Sequence, residues 1–138
     1  MKILLVDDDP DESVIFRDAV EQLGESIDVI QVYYCHELFD MLKDNSFDLV
    51  ILDVNLPLVN GIECLKKIRG DKSLPQLPII MFSNVINQLN IDICYQQKAD
   101  YFFIKPNSLN DIKVVVRKLM DTDWKQGQVR KEEFLIQY

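Results

Sequence analysis

The sequence predicts an α/β fold, a doubly wound, five-stranded parallel sheet with five helices, and three observations carry that prediction. Short apolar runs alternate with amphipathic stretches along residues 1–122. The run Leu49 to Leu52 is unbroken and β-prone, as a strand covered on both faces must be. The intervals between runs are long enough for helical crossovers, which parallel strands require. At 138 residues and 48% hydrophobic composition, the chain suffices for one domain with a substantial core and is too short for two ordinary ones.

Ile3 to Val6 is the first buried-strand run, and Asp7, Asp8, Asp9 and Pro10 end it. From Asp11 the period lengthens: Val14, Ile15, Ala19, Val20 and Leu23 fall at helical spacing, and Gly24 follows as a stop signal. Asp28 to Tyr33 is the second strand, and His36 to Leu42 a short second helix with Leu38, Phe39 and Leu42 on one face. The third strand ends on Asp53, after which Pro57 and Gly61 turn the chain away from the sheet edge. Ile62, Leu65 and Ile68 mark the third helix, with Lys66, Lys67 and Arg69 outward and Gly70 at its close.

Pro75 and Pro78 bracket a loop, and the apolar residues after Pro78 form the fourth strand, ending at Ser83 and Asn84. Residues 86–97 read as a fourth helix of low intrinsic propensity, because of its asparagines and isoleucines. Tyr101 to Ile104 is the fifth strand, ending at Lys105 and Pro106. An amphipathic helix follows, N-capped by Ser108, with Leu109, Ile112, Val115, Val116 and Leu119 inward. Residues 123–138 form a C-terminal tail with an apolar end, Phe134 to Tyr138. It reads as an interaction or homodimerisation segment, or as a strip folded back on the body.

The formal net charge of −8 argues against direct nucleic-acid binding, which needs clustered cations to displace phosphate counterions. No apolar run approaches the ~20 residues of a membrane span, and no export signal is visible, so a cytoplasmic location is expected. Cys35, Cys64 and Cys94 are widely spaced and odd in number, which predicts three reduced, mostly buried thiols with no disulfide and no zinc site.

The strand ends deliver Asp7 and Asp8, then Asp53, Ser83 and Lys105, to one rim, where open α/β sheets bind ligands. Three carboxylates brought together repel one another and call for a cation, and hard oxygen ligands on an open rim suit Mg²⁺. An Asp nucleophile, a metal and a lysine are together the equipment of acyl-phosphate chemistry. Asp9, before Pro10, reads as a turn former, and His36, at a helix start away from the rim, as a surface or capping residue.

These residues resemble the receiver domain of two-component response regulators. The resemblance covers about residues 2–120. It rests on residues 3–10 (ILLVDDDP), 52–61 (LDVNLPLVNG), Phe82-Ser83 and Ile104-Lys105-Pro106. It implies a flavodoxin-like fold with strand order 2-1-3-4-5 over residues 1–122. It further implies Asp53 as phospho-acceptor, Asp8 and Asp7 as metal-binding acids, and the Asn55 carbonyl as a further ligand. Ser83 matches the hydroxyl that turns toward the phosphoryl group, Lys105 the lysine that pairs with it, and Phe102 a switching aromatic, the alternative for Phe102 being a plain core residue. A cis Lys105–Pro106 bond is expected from the same likeness. The implied partners are a histidine kinase or histidine phosphotransfer protein and a downstream protein reached through phosphorylation-dependent contacts. The implied enzymatic content is self-phosphorylation and self-dephosphorylation.

Two positions depart from the family pattern: Asn84 replaces a small residue, and Lys98 stands where a glycine usually precedes the fifth strand. The two-proline loop and the apolar-ended tail resemble stand-alone receivers related to those that serve bacterial phytochromes. Two rival readings are a haloacid-dehalogenase-type phosphohydrolase and a constitutive interaction module. The first needs an Asp where this chain has Asn55, and the second is disfavoured by the intact set Asp8, Asp53, Ser83 and Lys105.

Overall fold

Alternating side chains on each strand feed two hydrophobic layers, one on either face of a central sheet. In this computed structural model, which describes all 138 residues, the strands are β1 (Lys2–Val6), β2 (Asp28–Val32), β3 (Leu49–Asp53), β4 (Ile79–Ser83), β5 (Tyr101–Ile104) and β6 (Leu135–Ile136). The helices are α1 (Asp11–Gln22), α2 (Cys35–Asp44), α3 (Gly61–Gly70), α4 (Gln88–Gln96), α5 (Leu109–Asp121) and a single turn, α6 (Lys131–Phe134). Leu4, Val6, Val50, Leu52, Ile79, Met81 and Phe102 join buried residues of α2, α3 and α4 in one layer. Ile3, Leu5, Leu49, Ile51, Ile80, Phe82 and Phe103 join those of α1 and α5 in the other. With both faces covered, the central strands have no polar side, which is why they read as continuous apolar runs.

The sheet order is β2-β1-β3-β4-β5-β6, and every pairing is parallel. Order 2-1-3-4-5 is as expected, and the count of five strands and five helices is corrected to six of each. The added strand pairs Leu135 with Phe102 and Ile136 with Phe103 on the outer edge of β5. A two-residue strand carries no periodicity, so nothing in the sequence separates it from a loop. Phe134, just before it, is wholly buried, with its ring 5.1 Å from that of Tyr95 and 6.4 Å from that of Phe102. The connecting segment is fastened by Tyr95 Oη donating to Val129 O, by Gln128 Nε2 donating to Tyr95 O and Ala99 O, and by Trp124 Nε1 donating to Leu119 O.

The expectation of three free thiols is also corrected. Cys35 and Cys64 form a disulfide, their Cα atoms 5.8 Å apart, which ties the start of α2 to α3; Cys94 alone is free and buried. The two partners lie 29 residues apart in sequence, and only the packing of α2 beside α3 brings them within bridging range. Burial in apolar surroundings pushes the Cys94 thiol up to about 12.

Lys98 adopts φ +66°, the left-handed conformation a glycine would take without cost. The turn is therefore kept although the glycine is not. Ala99 N–H donates to Cys94 O and Lys98 N–H to Tyr95 O, which closes α4 with the pair of bonds of a Schellman motif.

Candidate functional site

Asp53 is the last residue of β3, and its carboxylate emerges where the sheet stops. The following turn holds it: Asn55 N–H donates to Asp53 Oδ1 at 3.1 Å, and Gly61, the first residue of α3, packs so tightly on the Asp53 backbone that a Cβ there would collide with its carbonyl oxygen. Asp53 is 4% exposed. Burial raises its pKa above the ordinary aspartate value; Lys105 opposes that shift and Asp7 adds to it.

The strand β1 delivers its acids beside that carboxylate. Asp7 is buried, accepts from Asp9 N–H through Oδ1, and takes the Lys105 ammonium through Oδ2 at 2.7 Å. Asp8 is exposed, yet a carboxylate oxygen from each of Asp7, Asp8 and Asp53 lies within 4.8 Å of the others. Asp9 serves its turn by accepting from Asp11 N–H.

Lys105 enters from the end of β5. Its Nζ stands 3.4 Å from Asp53 Oδ2 and 3.9 Å from Glu12 Oε1, besides the short contact to Asp7. Burial works against its charge, but Asp7, Asp53 and Glu12 together hold its pKa above the usual lysine value. The structure has no cis peptide bond, so the expected cis Lys105–Pro106 linkage is corrected. With the bond in the form that X–Pro units favour, Lys105 N–H already donates to Ser83 O and its side chain already reaches the acids.

The rim thus brings Asp7, Asp8, Asp53 and Lys105 together. Ser83 lies at the end of β4 and is buried, but its hydroxyl is engaged within its own turn, accepting from Val85 N–H and donating to Val85 O at 3.1 Å each. Asn84 and His36 are exposed, and Phe102 is fully buried against Phe134. Sequence reading missed Glu12, a fourth carboxylate in the first turn of α1. Burial raises its pKa first of all, and Asp7, Asp9 and Asp53 add to that against Lys105. Its only sequence signal is that it follows the acidic loop at the opening of a helix. A set of clustered oxygen donors with no sulfur or imidazole suits a hard divalent cation.

Response regulator receiver domain is the description of the family model that matches residues 3–117. The chain belongs to the response regulator receiver family. Among curated relatives of this receiver, the Campylobacter jejuni chemotaxis protein CheY homolog is 27% identical over 92% of this chain and 98% of its own length. The Vibrio cholerae chemotaxis protein CheY-3 is 30% identical over 88% and 92%. The Escherichia coli transcriptional regulatory protein CpxR is 35% identical over 84% of this chain, but only 47% of CpxR is covered. The receiver also superimposes on the phosphorylated cyanobacterial phytochrome response regulator RcpA, with TM-score 0.77, 25% identity and coverage of 87% and 91%. It shares its fold with response regulator RPA3017 of R. palustris red-light signalling, with TM-score 0.79 at 18% identity over 94% and 97%. No helix of the receiver is long and apolar enough to cross a membrane.

Proposed function

We propose that the receiver accepts a phosphoryl group on Asp53 from a histidine kinase or histidine phosphotransfer protein and changes its affinity for a downstream protein in response. The observation that supports this reading most directly is the Asp53 carboxylate at the end of a core strand, 3.4 Å from the Lys105 ammonium and clustered with Asp7 and Asp8. An Asp53 oxygen forms the new bond to phosphorus as the bond from phosphorus to the donor's imidazole nitrogen breaks, and the imidazole leaves with the electron pair. Lys105, now shared among carboxylates, is close enough to balance the charge that the phosphoryl group brings. The Ser83 hydroxyl turns from Val85 to donate to a phosphoryl oxygen.

Asp7, Asp8 and Asp53, with the Asn55 backbone carbonyl, are the groups that would hold Mg²⁺. When bound, that ion would neutralise developing charge on the phosphoryl oxygens. The cytoplasm, where such donors are found, is the proposed location; its reducing conditions favour the open form of the Cys35–Cys64 bridge, which would close on oxidation. Residues 1–122 are proposed as the receiver proper, and 123–138 as the segment that sets its contacts.

Acetyl phosphate and Mg²⁺ should add one phosphoryl group to the wild type and none to Asp53→Asn, as read by intact mass. A mutant that gains the same adduct would place the acceptor elsewhere and overturn the proposal.

A further inference from the structure

Gln31 stands in β2 opposite Leu5 of β1 and reaches across to the acidic loop. Its Nε2 donates to Asp7 O at 2.8 Å and to Asp9 O at 2.7 Å, while its Oε1 accepts from Ser13 N–H at 3.3 Å. A primary amide has two N–H donors and one carbonyl, and all three groups are in use here. The two carbonyls it holds are those on either side of Asp8. Asp8 is exposed and its carboxylate accepts no hydrogen bond within the chain, so the backbone flanking it decides where that carboxylate stands.

Among the other side-chain bonds of the loop, those that Asp9 N–H donates to Asp7 and Asp11 N–H donates to Asp9 are local and move with it, and the one from Lys105 Nζ holds only the Asp7 carboxylate. Gln31 is different because it fixes the backbone on both sides of Asp8 to the sheet. Without a tether, repulsion from Asp7 and Asp53 would turn Asp8 outward whenever no cation is present. Arg17 and Ser13 secure the same helix start to β2 through Val29 O, so the anchor is itself rigid.

We infer that Gln31 is a positioning residue for the cation, presetting the Asp8 carboxylate beside Asp7 and Asp53 by clamping the backbone on both sides of it. The inference rests on the reading of the rim as a cation site given above. The ordering of the Asp8 backbone is then complete in the folded chain and is not charged against ion binding.

The test is equilibrium binding of Mn²⁺, followed by water-proton relaxation, to the full chain and to Gln31→Met, which keeps the side chain's length and removes its hydrogen bonds. Affinity should fall roughly tenfold, as for loss of other groups that orient metal ligands. At saturating Mg²⁺ the rate of modification by acetyl phosphate should return to the wild-type value. Amide exchange should quicken in residues 7–12 and stay unchanged in β3 and β4. Gln31→Thr, a strand-favouring residue too short to reach either carbonyl, repeats the measurement should methionine cost the fold. Folded variants that bind Mn²⁺ as tightly as the wild type would overturn the inference, as would a loss of rate at saturating ion with affinity unchanged. A wild type that binds no Mn²⁺ would instead remove the cation-site reading itself, so the two failures are distinguishable.

Discussion

Asp53 carries its charge where burial makes charge costly, and that cost can be read in the stability of the ion-free protein. Its folded-state pKa lies above the ordinary aspartate value, so the native state binds this proton more tightly than the unfolded chain does. The contribution of Asp53 to stability is therefore highest below the unfolded pKa of about 4 and is lost as pH rises through the raised folded value. Asp53→Asn has no such proton to lose. In the absence of divalent cations it should be more stable than the wild type at neutral pH, with the difference shrinking as pH falls through the carboxylate range. Urea melts of both proteins across that range measure the difference, and one that is constant with pH would show that burial does not disturb Asp53. The same residue shows why the site was largely legible in sequence: Asp53 ends a strand, Asp7, Asp8 and Lys105 follow directly on one, and strand ends in a parallel sheet share one rim. Glu12 and Gln31 were not legible, because one sits within a helix and the other within a strand, and only the packing of α1 on β2 turns them toward the acids.

Among the elements, the ends of α1 and α4 offer a controlled comparison. Both close with the same two hydrogen bonds, but α1 uses Gly24 at φ +67° and α4 uses Lys98 at φ +66°. A side chain in that conformation costs about 1–2 kcal/mol, part of which glycine gives back through its greater freedom when unfolded. Lys98→Gly should therefore stabilise the protein by roughly 0.5–1 kcal/mol, checked by chemical denaturation. At the other end of the chain, β6 depends on an anchor more than on its own ladder. Phe134 is wholly buried between Tyr95 and Phe102, and Phe134→Ala should cost about 3–5 kcal/mol. A loss well under 1 kcal/mol would show that the segment rests on the body without contributing to its core. Helices could be read in sequence because each spans several turns of its own period, and central strands because each is an unbroken apolar run bounded by turn residues. The last strand could not, since Leu135 and Ile136 acquire their meaning only from the open edge of β5.

At the scale of the whole molecule, the Cys35–Cys64 bridge closes a loop of 29 residues that contains β3 and the Asp53 turn. Restricting that loop in the unfolded chain is worth about 3–4 kcal/mol by the loop-entropy relation. Reduction should lower the thermal midpoint, and Cys35→Ser should lower it equally with no further response to reductant. Equal midpoints with and without reductant would mean that the bridge does not form in solution. Because β6 runs parallel to β5, the chain leaves it heading for the edge that carries Asp53 and Lys105, whereas Met1 lies at the opposite edge, where its carbonyl accepts from Asp28 N–H. A fluorophore or affinity tag joined after Tyr138 would therefore stand on the same rim as the reacting carboxylate, three strands along the sheet or roughly 14 Å from it, and one joined before Met1 would stand the full height of the sheet away. The first is the position for a reporter, and the second for a handle meant to leave the chemistry undisturbed.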